Sequence, residues 1–432
     1  MEKSENNQKK LRFHAEVFDK TQFLFQEYND HQVRAVIYFD GMAERELLEK
    51  AVRCSADFLP ILGSRFVPDK IRPYWESIDE AGYQNLISFT DMGNKEPENE
   101  IQAFITGKTD ECTGAQLMVK NIRAMGRDTL CIVMNHMICD GAGFKQYIYL
   151  LGEIYTKLQD GTYEEFRYYS GSRSERQIYR HFSLFEKLKV SLLPNESTKN
   201  RNTVRFPLCD EHTGQRPVIS THKLSRERFE RLKAYGKNYS VTINDIVLAA
   251  YFRALNQMLD HEQCEVLTIP CMVDLRRYLP DRKAEGICNL TSMIACHIGA
   301  TEGESFRETV SKVSEAMSRR KNGYPGLNGL SLLKLAYKLP FAFSQRILKK
   351  HYANPMIGLT NIGILDSNRL VFGSVPVRDA YVAASVKYTP YFQMGLTTYK
   401  DSITFTVSQY CTESDRETIQ RFFSLLDQEL SI

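Results

Sequence analysis

At 432 residues the chain is longer than one hydrophobic core ordinarily supports, so two domains are expected. Hydrophobic residues at 43% and charged residues at 25% place it among soluble globular proteins, and a formal net charge of +3 is too slight to argue for nucleic acid as a partner. The ten cysteines lie mostly in apolar surroundings, and neither CxxC nor HExxH spacing occurs. Buried reduced thiols in a reducing compartment are therefore expected, rather than a disulfide framework. The polar start, MEKSENNQKK, has no apolar segment of the kind a secretory signal needs, and no apolar run is long enough to span a bilayer. A soluble cytoplasmic protein is the expectation.

The first predicted strand is VRAVIYFDG, Val33 to Gly41, ending in a turn. AERELLEKAVRCSADFLP then shows helical periodicity, with Leu47, Leu48, Ala51, Val52 and Ala56 on one side. Asp57 to Val67 passes through Pro60 into a strand-like run, ILGSRFV. TGAQLMVKNIRA and DTLCIVMN read as paired strands around a turn at Gly126 and Arg127. FKQYIYLLGEIYTKLQ, Phe144 to Gln159, is a strong amphipathic helix. Pro194 to Arg216 is polar and rich in breakers, the best candidate for an interdomain connection, and divides the chain into 1–205 and 206–432.

A second cycle follows: strand RPVISTHKL, helix SRERFERLKAYGKN and helix TINDIVLAAYFRALNQML. In the last, Thr242 is a candidate N-cap, Asn244 and Asp245 lie in the first turn, and Ile246, Ala249, Ala250 and Leu255 form an apolar stripe. The strand EVLTIPCMVDL leads to Arg276. The tail alternates short strands (PMIGLTNIG, RLVFGSVPV, YFQMGLTTY and SITFTVSQY) with turns, and TESDRETIQRFFSLLDQEL closes as a helix. Helices and strands mix in both halves without a short repeat, which predicts an α/β architecture of two similar-sized domains.

Chemistry concentrates in TLCIVMNHMICDGAG, Thr129 to Gly143. Leu130 to Met134 reads as a buried strand, and His136 stands where it gives out. Gly141 and Gly143 would let the backbone turn tightly and approach a ligand. A neutral imidazole at a strand end suits general-base work, because its ordinary pKa of about 6.5 lies near neutrality. A buried structural histidine is the plain alternative. A metal site using His136 and Asp140 would need a helix between them and a third ligand, and neither is indicated.

The chain resembles the coenzyme A-dependent acyltransferase superfamily, which includes chloramphenicol acetyltransferase, condensation domains of peptide synthetases and alcohol acetyltransferases. The resemblance rests on HxxxDG, present as His136, Asp140 and Gly141, and on weaker segments in the family's order. These are AVRCSADFLPILGSRFV, SVTINDIVLAAYFRAL, PCMVDLRRYLP followed by GICNLTS, LTNIGIL, and GLTTYKDSITFTVSQY, and together they span nearly the whole chain. It implies two chloramphenicol-acetyltransferase-like α/β sandwich domains with a tunnel between them, donor and acceptor entering from opposite ends. His136 would be the base. Asp140 would turn away and pair with an arginine, Arg276 or alternatively Arg277. Thr360 and Asn361 would be candidates for oxyanion or substrate contact, with ordinary turn formation as the alternative. Many relatives carry two adjacent histidines; here Asn135 precedes His136.

The implied activity is a stand-alone acyltransferase, with acyl-coenzyme A or a phosphopantetheine thioester as co-substrate and an alcohol or amine as acceptor. A condensation protein acting in trans on a carrier protein, or a non-catalytic binder on the same fold, are the alternatives. No resident cofactor or metal is implied, and a monomer is favoured because two fused domains complete the tunnel. From Ala316 to Leu365 there is no acidic residue, while eight lysines and arginines interleave with apolar positions. That segment reads as a helix pair broken at Pro340 with a basic solvated face, a phosphate-attracting rim, or an interfacial surface.

Overall fold

The computed structural model describes residues 10–79, 85–192, 204–209, 213–259, 266–299, 301–321, 323–351 and 354–432. Fourteen strands are found among them. In chain order they are β1 (Arg12–His14), β2 (Gln32–Phe39), β3 (Ser64–Val67), β4 (Tyr74–Ser77), β5 (Ile87–Asp91), β6 (Leu117–Ala124) and β7 (Arg127–Asn135). The second half supplies β8 (Arg216–Leu224), β9 (Val266–Asp274), β10 (Thr291–Gly299), β11 (Ile357–Leu365), β12 (Val377–Ala383), β13 (Phe392–Tyr399) and β14 (Ser402–Cys411). A five-stranded sheet runs β12-β2-β7-β6-β5, a six-stranded sheet runs β10-β9-β11-β13-β14-β8, and β1-β4-β3 form a small third sheet. The large sheets are mixed, with β5–β6, β11–β13 and β11–β9 parallel and the other pairs antiparallel.

Each large sheet is closed on one face by helices whose apolar stripes match the sequence pattern. Helices Arg45–Phe58 and Gly141–Gln159 cover the five-stranded sheet, and Leu48, Ala51, Val52, Phe144, Tyr147 and Leu151 enter its core. Helices Arg226–Tyr239, Ile243–Met258, Phe306–Lys321 and Glu413–Glu429 cover the six-stranded sheet. Thr242 caps the Ile243–Met258 helix by accepting from the Asp245 N–H, and the Asp245 carboxylate accepts from the Thr242 N–H, satisfying two orphan donors reciprocally. Two layered α/β lobes result.

Helix Glu98–Ile105 packs on the other face of the five-stranded sheet, and its Gln102 side chain accepts from the Ile219 N–H and donates to the Ile219 carbonyl of β8, which places it at the junction with the second sheet. Ile219 of β8 packs with Val36, Ile122, Cys131 and Tyr381 of the five-stranded sheet. The lobes also share chain, because β12 from the second half pairs antiparallel with β2. Between β12 and β13, residues Ser385–Tyr388 bond to both lobes. Val386 and Tyr388 donate to the Asp30 carboxylate and the Tyr28 carbonyl, at 2.9 and 3.1 Å, while Lys387 donates to the Ser408 carbonyl at 2.9 Å. Tyr410 donates back to the Lys387 carbonyl at 2.8 Å. Beneath this stitch the Asp30–Arg34 ion pair is fully enclosed.

Three expectations need correction. RLVFGSVPV is a turn rather than a strand: Gly373 sits at φ +55°, Phe372 and Val375 close a single bridge, and the strand begins only at Val377, after Pro376. ILGSRFV begins as a 3-10 turn, Pro60–Gly63, before β3. The helix of the second quarter starts at Gly141, not Phe144, so Gly141 and Gly143 lie in its first turn rather than in a loop. Most of the polar stretch from Pro194 to Arg216 lies outside the described residues. Of the cysteines described, seven are buried, Cys112 is half-buried and Cys209 is exposed, all as free thiols. Among the described residues no helix is long and apolar enough to cross a membrane.

The β6–β7 hairpin turns through Met125 at φ +51° and Gly126 at φ +72°. Two left-handed positions match the twist of the strands, yet Met125 bears a Cβ where asparagine or glycine is favoured. Met125→Asn, at an exposed position, is expected to raise stability by about 0.5–1 kcal/mol, read as a higher urea midpoint with an unchanged slope.

Candidate active site

The apolar run from Leu130 to Met134 is fully buried in β7, the central strand of the five-stranded sheet, so the chain emerges at His136 on a rigid support. The His136 N–H donates to the His31 carbonyl at 2.7 Å, and the Asn289 side-chain amide donates to the carbonyls of His136 and Met137 at 2.9 and 3.1 Å. Arg173 reaches the same turn from behind, donating to the carbonyls of Met137 and Ile138 at 3.1 and 3.0 Å. Its guanidinium is held in turn by Asp19, which also accepts from the Trp75 indole at 2.9 Å.

The imidazole itself is left open. The residue is half-buried, and Nδ1 is enclosed without a hydrogen bond of good geometry. Nε2 makes no hydrogen bond either and is not among the enclosed atoms, so it retains accessible surface. Burial pushes its pKa below the ordinary histidine value, opposed by its own carbonyl and by Asp140, and assisted by the charges of Lys387 and His31. A neutral ring with one accessible nitrogen is a competent proton acceptor.

Asp140 has a different environment. It caps the Gly141–Gln159 helix, Oδ1 accepting from the Gly143 N–H at 2.8 Å. Oδ2 accepts from Arg276 Nη1 at 2.9 Å, the Leu290 N–H at 2.7 Å and the Thr291 hydroxyl at 2.8 Å. Burial alone would raise its pKa, but the Arg276 charge and hydrogen bond, with the Gly143 and Leu290 amides, hold it below the usual carboxylate range. Asp140 is 1% exposed, with both oxygens engaged.

Arg276 follows β9 in a short 3-10 turn, Leu275–Tyr278. Its contact with Asp140 is through one nitrogen rather than bidentate: Nη1 is shared with Asp274 at 3.1 Å, and Nη2 donates to the Cys288 carbonyl at 2.8 Å. Arg277 is exposed and lies over the Tyr278 ring instead. The glycines allow close packing rather than a turn. A Cβ on Gly143 would sit 2.7 Å from the Cys288 carbonyl oxygen and 2.8 Å from Cys139 Cβ, and one on Gly141 would meet Ile362 Cδ1 at 3.0 Å.

Thr360 and Asn361 lie on β11, next to that Ile362 contact. Asn361 is exposed and engaged locally: Nδ2 donates to Asn244 Oδ1 at 3.2 Å, and Oδ1 accepts from the Gly363 N–H at 2.8 Å in a bulge. Thr360 is in register with Gly395 and Thr406, on the inner face of the six-stranded sheet. On that face Thr406 and Ser408 are buried with hydroxyls that lack hydrogen-bond partners. No hydrogen bond joins Thr360 or Asn361 to His136. Two further groups bear on His136: Asn289, within the GICNLTS segment but given no role in the sequence reading, and Lys387, which no motif marks. Lys387 is half-buried, makes no side-chain hydrogen bond, and burial pushes its pKa down to about 8 against the pull of Asp30. Among the described residues no cluster of histidine, cysteine or carboxylate groups is suited to a metal ion.

Replacing Arg276 with methionine strands the Asp140 charge in the interior, and a loss of about 3–5 kcal/mol is expected by urea unfolding at neutral pH. Because the folded-state pKa of Asp140 is depressed, its stabilisation is present above the unfolded-state carboxylate pKa and disappears as pH falls through the folded value. The wild-type advantage over Arg276→Met should therefore shrink on acidification.

No protein-family model and no curated protein matches the chain. Solved structures do. The first condensation domain of the calcium-dependent antibiotic synthetase is 18% identical, with 98% of this chain and 97% of that chain covered at a TM-score of 0.71. Trichothecene 15-O-acetyltransferase from Fusarium sporotrichioides is 14% identical, with 98% and 96% covered at a TM-score of 0.70. Polyketide synthase associated protein 5 from Mycobacterium tuberculosis is 15% identical, with 97% and 98% covered at 0.62. Over nearly its whole length, then, the chain has the two-lobed α/β fold seen in that condensation domain and that acetyltransferase.

Proposed function

We propose that this protein is a stand-alone acyltransferase that moves an acyl group from a thioester, on coenzyme A or on a carrier's phosphopantetheine, to an alcohol or amine. The carrying observation is the contrast between two neighbours in one motif. Asp140 is locked on four sides and ionised, whereas His136 is held only through its backbone and offers an unbonded, accessible Nε2.

In this reading the acceptor's oxygen or nitrogen attacks the thioester carbonyl carbon while Nε2 takes its proton. The carbonyl oxygen becomes an oxyanion, the C–S bond breaks as the carbonyl re-forms, and the imidazolium returns the proton to the departing thiolate. The depressed pKa of His136 keeps the ring neutral before attack and makes it a willing donor afterwards. Thr360 is the favoured oxyanion donor, since Asn361 is engaged by Asn244 and Gly363. The unpartnered hydroxyls of Thr406 and Ser408 supply a polar wall on the same sheet face. Asp140 and Arg276 act as supports for the loop, and two substrates held between the lobes react with the advantage of proximity.

His136→Ala should lower turnover by about 10²–10⁴-fold while leaving the denaturation midpoint close to wild type. Thiol release from acyl-coenzyme A in the presence of mixed alcohols and amines is the assay; an unchanged rate would overturn the assignment. Turnover seen only with a phosphopantetheinylated carrier would instead identify a condensation catalyst acting in trans. The pH profile gives a second check. Activity should persist to lower pH than an ordinary histidine permits, because His136 must be neutral. Lys387→Met removes a positive neighbour, so the acid limb of kcat/KM should move to higher pH, whereas a merely structural lysine would leave that limb in place.

A further inference from the structure

Helices Leu327–Ala336 and Phe341–His351 carry a surface that the acyl-transfer reading does not use. Leu332 and Leu335 lie on the first helix, Leu339 in the turn before Pro340 and Phe343 on the second helix, and Ile71 lies beside the start of that second helix. All five are between 43% and 65% exposed. Their neighbours on the opposite side, Leu327, Leu330 and Phe341, are buried, so the exposed row is not the fold's own packing face. Backbone contacts make the patch one piece. The Ile71 and Lys70 carbonyls accept from the N–H groups of Phe341 and Ala342 at 3.2 and 3.0 Å, and the Ser344 hydroxyl donates to the Ala336 carbonyl at 2.8 Å across the turn.

Cations surround the row. Lys70, Arg72, Lys338, Arg346 and Lys350 are exposed and form no ion pair among the described residues. The acidic side chain in the loop, Asp69, is turned onto the N–H groups of Ile71 and Arg72 at 2.9 and 2.8 Å. We propose that this basic, apolar helical pair docks the protein on an anionic lipid surface, with the leucines and Phe343 entering the headgroup boundary and the cations meeting lipid phosphates. The central positions bear no hydrogen-bonding group, which suits acyl chains. Protein interfaces are threaded with hydrogen bonds and enriched in tyrosine and tryptophan. Attachment of this kind is peripheral, consistent with the lack of a membrane-crossing helix among the described residues.

Co-sedimentation of the full chain with vesicles tests this directly and requires no turnover, so its outcome is separate from that of the acyl-transfer reading. Binding is expected to vesicles of phosphatidylcholine mixed with phosphatidylglycerol, to be weak with phosphatidylcholine alone, and to weaken with salt. Leu335→Ser with Phe343→Ser, and separately Lys338→Glu with Arg346→Glu, should each reduce affinity by about tenfold or more. All four sites are exposed, and an unchanged urea midpoint would show that the variants fold. Failure to sediment with either vesicle, or undiminished sedimentation of both double variants, would overturn the proposal. Loss in the charge-reversed variant of turnover with a carrier-bound donor, without vesicle binding by the wild type, would assign the face to an acidic protein and overturn it equally.

Discussion

The structure depends on a carboxylate that has been taken out of water. Asp140 begins a long helix of one lobe and accepts hydrogen bonds from Arg276, Leu290 and Thr291 of the other. A buried charge is costly unless every lone pair is satisfied, and here four donors converge on two oxygens. The arrangement therefore tolerates one relative position of helix and opposing strand ends. Since His136 lies one turn upstream on the same short connection, its position is set by the same constraint.

Around this pin, other buried polar groups act on the backbone rather than on the imidazole. Arg173, Asn289 and His31 all engage backbone atoms between His136 and Ile138. Such contacts fix where the ring starts while leaving its outer nitrogen uncommitted. That division between a satisfied scaffold and an unsatisfied tip is how preorganised sites usually store reactivity. The partnerless hydroxyls of Thr406 and Ser408 belong to the same pattern, because buried polar atoms without partners are uncommon unless something else completes them.

Much of the fold was legible because local signals agreed. The continuous apolar run before His136, the cap residue Thr242 and the stripe of the Ile243–Met258 helix each point to the element observed. Gly141 and Gly143 misled as turn formers because glycine serves close approach as readily as left-handed backbone, and only the tertiary contact with Cys288 distinguishes the two. β12 was obscured by Pro376 and Gly373, and its pairing with a strand hundreds of residues earlier leaves no local trace. In the site, the Asp140–Arg276 contact was implied by the family resemblance, with Arg277 as the alternative, and not by any local pattern. The clamps from Arg173 and Asn289 and the proximity of Lys387 arise from long-range packing, which periodicity does not encode.

Residues Ser385–Tyr388 join β-type pairings on both sides, one to the segment entering β2 and one to the end of β14. A seam of main-chain bonds across the junction resists any clamshell motion, since parting the halves would break several of them together. In the proposed reaction, donor and acceptor would then have to reach His136 past side chains and peripheral loops. Rates of entry and exit would accordingly be governed by the girth of those passages and not by the stiffness of a hinge.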